Sequence, residues 1–400
     1  MYTHHPVYLW NPPHGKILYE KDSQRQMYPA STTKIMTAIL TLEHCQLTDI
    51  ATVSYNAVYS IPSGYAYANL HVGEELTIDQ LLHILLIPSA NDAAVVLAEH
   101  IAGSVESFAA MMNAKAAEIG CLNTHFVNPN GIHNENHYTT AYDLALMGKY
   151  AMQNKTFREI VTTTRYTLPI TNQYDKEDRI FNTTNELLKE DHRNRADNYY
   201  YPSCTGIKTG YTDAAKNCIV ASAKKDGIEY IVVVLGAERT PSGLSGRNLD
   251  CISLFNYAFD NYSVKQLQIE NEVLKQIEIL NATKETRNLS LIVQSSIQAV
   301  TKNDEELTNI IPTIEIEPNL KAPISKNSIV GKISYTIDGI TYSSNLLAGN
   351  AVEESKFMNQ ILLLSIAFVL IFLAFCILRS NKNKKKKKYK KRKHKKSIYD

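Results

Sequence analysis

Residues 28–37 read Tyr28-Pro29-Ala30-Ser31-Thr32-Thr33-Lys34-Ile35-Met36-Thr37. Pro29 and Ala30 lead into a helical pattern over residues 32–42, with Ile35, Met36, Ala38, Ile39, Leu40 and Leu42 as its apolar positions. Positions three apart on a helix share a face, so the hydroxyl of Ser31 and the amine of Lys34 can meet. A hydroxyl beside an amine is the material of a serine nucleophile with a lysine base. A lysine of ordinary pKa, about 10, is a poor base at neutral pH. Burial or a second cation nearby must push it down. Ser-x-x-Lys alone decides little. Ser222-Ala223-Lys224-Lys225 matches as well, but in a strand-like run where positions three apart face opposite ways.

Two more polar clusters follow in order. Ser89-Ala90-Asn91 comes after Pro88, which breaks the preceding apolar stretch and makes a loop. Ser89 suits relay of a proton to a leaving amine, and Asn91 suits binding a substrate backbone or Lys34. Ser and Asn at such a place are also ordinary helix N-caps. Lys208-Thr209-Gly210 precedes a pair of strand-like segments. On an edge strand, Lys208 and Thr209 can hold a carboxylate, and Gly210 lets a chain approach the backbone. The competing reading is a solvent-facing turn. Lys208 is also the cation expected to lower the pKa of Lys34.

Working outward, Tyr8-Leu9-Trp10 and residues 16–20 flank Asn11-Pro12-Pro13-His14-Gly15 as strand, turn and strand. Residues 76–87, 93–101, 105–119 and 140–153 read as helices, and Asn128-Pro129-Asn130-Gly131 as a turn. Residues 218–223 and 230–236 read as paired strands, and 250–259 as a closing helix. Strands at both ends with helices between them predict a mixed α/β (α+β) fold, a mainly antiparallel sheet covered by helices. From about Val264 the texture becomes short β-like segments, at 267–269, 289–293, 313–316 and 330–337. The expected organisation is a catalytic domain over 1–262, a small all-β domain over 263–350, a linker over 351–360, a membrane helix over 361–378 and a basic tail over 379–400.

The 400 residues and 44% apolar content suit a chain with a substantial core. The six cysteines form no CxxC pairs, so neither a zinc site nor a disulfide framework is indicated. The net charge of +2 hides an asymmetry. Residues 379–400 hold 13 of the 42 Lys and Arg but one of the 40 acids, leaving 29 bases against 39 acids elsewhere. A basic tail suits nucleic acid in principle, but the stretch before it argues for a membrane. Residues 361–378, ILLLSIAFVLIFLAFCIL, carry no charge and span about 27 Å as a helix, near the thickness of a bilayer core. Basic residues directly after it place the tail in the cytoplasm and the body outside. The tail also suits contact with anionic head groups. An exported body needs a leader, and Met1-Tyr2-Thr3-His4-His5 begins no charged-then-apolar stretch. Either the chain begins too late or export uses another route, and the favoured expectation is a start that lies late in the gene.

With these residues in view, the chain resembles the low-molecular-mass penicillin-binding proteins, the serine D-alanyl-D-alanine carboxypeptidases of peptidase family S11. The three ordered clusters carry the resemblance. So do Phe126-Val127-Asn128-Pro129-Asn130-Gly131, His137-Tyr138-Thr139-Thr140-Ala141, Asn182-Thr183 with Asn185, and Lys208-Thr209-Gly210-Tyr211-Thr212. It implies a β-lactamase/transpeptidase-like domain, a C-terminal β module that stands it off the membrane, and no metal or cofactor. The implied substrate is the peptidoglycan stem pentapeptide, whose terminal D-alanine leaves as Ser31 is acylated; β-lactams are the implied covalent inhibitors. Catalysis would fall to Ser31, Lys34, Ser89 and Asn91, with backbone N–H groups of Ser31 and Tyr211 facing the oxyanion. Substrate binding would fall to Lys208, Thr209, Gly210, Tyr211 and Arg247. A surface salt bridge is the plainer reading of Arg247.

Three features depart from the family's pattern. Ala90 stands where Gly is usual, Lys216 stands where Gly is usual and brings charge near the cleft, and a leader and helix that usually precede the first strand are missing. Two rivals share the clusters. A serine β-lactamase needs a deacylating base, and no convincing glutamate is found. A non-catalytic penicillin-binding receptor needs a signalling domain, and the basic tail is too short for one.

Overall fold

The computed structural model describes residues 5–190, 197–307 and 310–396. It divides into two compact units, Met1–Lys265 with Val300–Glu305, and Gln266–Ala299 with Glu306–Asp400.

The first unit opens with β1 (Val7–Asn11) and β2 (Lys16–Lys21). Then come α1 (Lys34–His44), β3 (Ile50–Thr52), α2 (Tyr55–Tyr59), β4 (Glu75–Thr77), α3 (Ile78–Leu86), α4 (Asn91–Ala102), α5 (Val105–Ile119), α6 (Ala141–Ala151) and α7 (Lys155–Thr162). The unit continues with β5 (Arg165–Leu168), β6 (Arg179–Asn182), β7 (Cys204–Thr212), β8 (Lys216–Lys225), β9 (Ile228–Ala237) and α8 (Gly246–Asn261). Its main sheet runs β2-β1-β9-β8-β7, antiparallel throughout. The opening hairpin therefore pairs with strands that lie more than two hundred residues later, Val7 opposite Val234.

β9 explains the layering. It is apolar on consecutive positions, as a strand covered on both faces must be. Ile231, Val233 and Leu235 pack with Ile35 and Met36 of α1 and with Leu144 and Met147 of α6. Tyr230, Val232 and Val234 face the other way, against Leu254, Phe255 and Ala258 of α8. Each such side chain contributes about 1.5–3 kcal/mol by leaving water. β7 is the free edge of this sheet, and it borders the site.

Two local expectations are corrected. The helix expected from residue 32 begins as a 3₁₀ turn, Ala30–Thr33, and becomes α-helical only at Lys34. The cause is Thr32, whose N–H and hydroxyl both donate to the Pro29 carbonyl, at 3.3 and 2.7 Å, and tighten the turn. The helix expected over 76–87 starts at Ile78. Leu76 pairs with Ala51 in a short ladder, and Thr77 with Gln80 forms a reciprocal capping box that starts the helix. Lys208-Thr209-Gly210 lies on the edge strand β7 and precedes the paired strands β8 and β9, as expected, opposite Val220, Ile219 and Cys218 of β8.

Seven strands follow: β10 (Tyr262–Gln268), β11 (Val273–Glu278), β12 (Asn288–Val293), β13 (Ile297–Lys302), β14 (Thr313–Ile316), β15 (Ile329–Ile337) and β16 (Ile340–Ala348). Five of them form an antiparallel sheet ordered β11-β12-β16-β15-β14. Leu289, Leu291, Val293, Ile333 and Leu346 fill its core. The last helix, α9 (Lys356–Lys396), contains the one stretch among the described residues, Gln360–Lys390, long and apolar enough to cross a bilayer as a single helix. Its apolar side chains are exposed from Ile361 to Leu378, so it is a candidate membrane anchor.

Candidate active site

The tight turn before α1 aligns Ser31 with Lys34, because positions three apart eclipse in a 3₁₀ helix. Lys34 Nζ lies 2.9 Å from Ser31 Oγ, 2.7 Å from Asn91 Oδ1 and 2.8 Å from the Asn130 carbonyl. A neutral amine has two hydrogens and one lone pair. Donating to Asn91 and Asn130 uses both hydrogens, which leaves the lone pair to accept the Ser31 hydroxyl proton. Lys34 is fully buried, and its pKa is held well below the ordinary lysine range. Burial is the main cause and the Lys208 charge the second, with Asp92 opposing both. Its place as the first residue of α1, at the positive end of the helix dipole, also disfavours the cation.

Asn91 opens α4 but does not cap it. The N-cap is Ala90, which has no side-chain bond to the helix. The Asn91 amide instead receives Lys34 through Oδ1 and donates through Nδ2 to the Ala66 carbonyl at 2.7 Å. Asp92 fixes the same loop: its buried carboxylate accepts the N–H groups of Ala68 and Leu70. The sequence reading missed Asp92, though it directly follows the quoted cluster. Ser89 is held at a left-handed φ of 70°, and its buried hydroxyl has no partner among the described residues.

On the opposite wall, Lys208 is buried and donates to the Thr209 carbonyl at 2.9 Å. Burial, with the Arg247 charge second, brings its pKa down to about 7. Thr209 Oγ1 shares a 2.6 Å hydrogen bond with Thr184 Oγ1. The sequence reading quoted Asn182, Thr183 and Asn185 but passed over Thr184, the member of that run that lines the cleft. Gly210 lies directly against the nucleophile's backbone. A Cβ there would stand 2.9 Å from Ser31 N and 3.0 Å from the Pro29 carbonyl. Tyr211 is exposed, and its hydroxyl donates to Asp213 at 2.9 Å. Arg247 is not a surface salt bridge. Its Nη1 donates to the carbonyls of Gly210 and Cys218 at 3.2 and 3.4 Å, and its buried Nε has no partner among the described residues. Burial keeps the guanidinium below its usual range. Ser31, Ser89, Asn91, Thr209, Gly210, Tyr211 and Arg247 line a common cavity of about 490 Å³.

The alternative Ser-x-x-Lys falls away. Ser222 is buried in β8 and bonded to Thr205 at 2.7 Å, while Lys224 faces solvent. Lys216 leaves the β7–β8 turn intact: it pairs with Thr212 at a left-handed φ of 56°.

Behind Lys34, the turn at 128–131 presents its acceptor. Asn128 Oδ1 accepts Gly131 N–H at 2.7 Å, and Thr37 donates to the Pro129 carbonyl at 2.5 Å. Gly131 has φ +84° and packs on Ala30. His137 steadies the Ser31 turn from below. Its Nδ1 accepts Val127 N–H at 3.1 Å, so the proton sits on Nε2 and is donated to Thr33 Oγ1 at 2.8 Å. Burial, then the charges of His125 and His133, bring its pKa down to about 3.

A stability prediction follows from His137. The unfolded chain takes up a proton below pH ~6.5 that the folded chain refuses until about 3. Stability is therefore complete above the unfolded pKa and is lost as the pH falls toward the folded one, at roughly 1.4 kcal/mol per pH unit. Urea unfolding at pH 7 and pH 4.5 should show this slope, and His137→Gln should lose it. An unchanged slope in the variant would remove the assignment.

Comparison with known proteins finds relatives for both parts of the chain. The profile of the D-alanyl-D-alanine carboxypeptidase family, peptidase S11, matches residues 9–239, and that of the penicillin-binding protein 5 C-terminal domain matches residues 262–354. D-alanyl-D-alanine carboxypeptidase DacF of Bacillus subtilis is 34% identical over 347 residues, covering 86% of this chain and 83% of its own length. Penicillin-binding protein 5 of Haemophilus influenzae superposes with a TM-score of 0.68 at 25% identity, over 88% of this chain and 97% of that one. The Streptomyces K15 DD-transpeptidase superposes with a TM-score of 0.57 at 33% identity, over 64% and 96%. A buried lysine bonded to a serine at the mouth of an edge-strand cleft thus comes with matches along most of the chain, and the protein belongs to the D-alanyl-D-alanine carboxypeptidase family of serine peptidases.

Proposed function

We propose that this protein removes the terminal D-alanine from peptidoglycan stem pentapeptides through an acyl-enzyme on Ser31. The observation that carries the reading is the buried amine of Lys34, 2.9 Å from Ser31 Oγ and anchored on Asn91 and Asn130. Lys34 takes the hydroxyl proton as Ser31 Oγ attacks the carbonyl of the penultimate D-alanine. Gly210 lets the substrate lie along the β7 edge, with the N–H groups of Ser31 and Tyr211 toward the developing oxyanion. The carbon–nitrogen bond then breaks, and Ser89 passes a proton to the departing amine. The terminal carboxylate sits with Lys208, Thr209 and Arg247, where an anion restores the charge that burial suppresses on Lys208. Water attacks the ester and returns the proton to Ser31. A β-lactam enters the same path but leaves a ring-opened acyl group that is hydrolysed slowly.

In this reading, residues 1–262 form the catalytic domain and 263–350 a spacer toward the wall. Residues 351–360 link the spacer to the membrane span at 361–378, and the basic residues 379–400 remain cytoplasmic by the positive-inside rule. The substrate is the cell-wall polymer, so the activity bears on wall biogenesis and cell shape. The test is intact mass after benzylpenicillin with peptide mapping, together with D-alanine release from a synthetic D-Ala-D-Ala peptide. The expected results are a long-lived adduct on Ser31 and release that Ser31→Ala abolishes. Rapid penicillin turnover would instead make the protein a β-lactamase, and absence of D-alanine release a receptor.

A further inference from the structure

Beyond Tyr211 the cleft does not end. A second cavity of about 520 Å³ is lined by Tyr211, Lys216, Asn217, Glu238 and Arg239. Tyr211 lines both cavities and is the wall they share. On an alternating strand, the side chains of Thr209 and Tyr211 point to one face of β7. The Arg247 guanidinium reaches the Gly210 carbonyl between them. The second cavity therefore adjoins the carboxylate end of the cleft.

Its charge is net positive, two cations against Glu238. Arg239 is anchored by a 2.7 Å bond from Nη1 to the Gly243 carbonyl. Its field reaches the Tyr211 hydroxyl and Arg247. Lys216 is exposed and makes no ion pair among the described residues. It also holds a left-handed φ of 56°, a conformation that glycine adopts without strain. A long cationic side chain at such a position is costly for the backbone and has no internal partner to explain it.

We propose that this cavity is a second anion subsite, which takes an acidic side chain on the C-terminal D-amino acid, the residue released when Ser31 is acylated. The inference rests on the activity proposed above and extends it to the choice of leaving residue. The first carboxylate of that residue occupies Lys208, Thr209 and Arg247, and its side chain passes Tyr211 toward Lys216 and Arg239.

The experiment compares three peptides, diacetyl-Lys-D-Ala-D-X, with X as D-Ala, D-Gln or D-Glu. The last two differ by one charge at equal size. The parent should cleave the D-Glu peptide with kcat/KM about tenfold above the D-Gln peptide at low salt, and the ratio should shrink as salt is added. Lys216→Gly and Arg239→Gln should each bring the ratio within about twofold of one while D-Ala release stays at the parent level. Glu238→Gln should raise the ratio. The glycine at 216 relieves the backbone, so loss of folding is not expected there. A parent ratio near one, or a ratio unmoved by both basic-residue variants, overturns the subsite with D-Ala cleavage intact. If no peptide is cleaved, the proposed activity itself fails and the subsite falls with it.

Discussion

Lys34→Met should lower the rate of Ser31 acylation by benzylpenicillin by about 10³-fold or more. Loss of a positioned general base costs roughly 10²–10⁴ in rate, and no second base touches Ser31 Oγ among the described hydrogen bonds. Methionine keeps most of the buried volume, so circular dichroism should remain that of the parent. The pH profile gives a second readout. In the proposed mechanism Lys34 acts as the free amine, so acylation should fall on the acid side as it gains a proton, below the ordinary lysine range because of burial and Lys208. Binding of the terminal carboxylate as proposed needs Lys208 charged. Burial and the Arg247 charge bring its pKa down to about 7, so kcat/KM for a D-Ala-D-Ala peptide should also decline on the alkaline side. The alkaline limb of kcat should lie higher, because the bound carboxylate stabilises the cation. The two lysines feel each other's charge, so the limbs belong to the pair. Stopped-flow acylation within tenfold of the parent in Lys34→Met would refute the role of this amine.

Gly131→Ala should be the most damaging single-methyl change in the catalytic unit. A Cβ there would lie 1.9 Å from the Ala30 carbonyl oxygen, 2.4 Å from its carbon and 2.9 Å from Thr33 Oγ1, with the backbone already at φ +84°. The first two atoms are main chain and cannot rotate away. Strain at the left-handed position and overpacking each cost about 1–3 kcal/mol, so a loss of about 3 kcal/mol or more is expected from urea midpoints. Penicillin acylation should fall with it, because the two segments forced apart carry Ser31 and the Asn130 carbonyl that anchors Lys34. Gly227→Ala is the control. It shares the left-handed backbone, φ +81°, but a Cβ there meets nothing within 4 Å, so only the conformational cost of about 1 kcal/mol remains. If the two variants were equally mild, close packing of this turn on Ala30 would not be what holds the nucleophile.

Much of this architecture was readable along the chain, and the misses have physical causes. β8, β9 and the helices from 93 to 153 announce themselves by runs and periods of apolar residues. β7 does not, because an edge strand that lines a cleft carries Lys208, Thr209 and Gly210 where a core strand would carry apolar side chains. β16 was missed although Asp338 and Gly339, both at positive φ, make the tight turn that folds it onto β15. Asp92, Thr184 and His137 went unassigned for another reason. Each acts through a partner far away in sequence: Asp92 on Ala68 and Leu70, Thr184 on Thr209, and His137 on Thr33. No local spacing encodes such pairs.

Residue type and short-range spacing were enough to establish a serine three residues before a lysine, a mainly antiparallel sheet under helices, a β-rich second part and one long apolar helix, because propensity, period and hydropathy are properties of neighbours in the chain. The tertiary structure alone decided that the amine of Lys34 is buried within hydrogen-bonding distance of Ser31, that Arg247 lies against the Gly210 and Cys218 carbonyls, and that a basic recess opens behind Tyr211. Proton affinity and cavity shape depend on what surrounds a group from every side. Here those surroundings come from segments near residues 34, 91, 130 and 208 that only folding brings together.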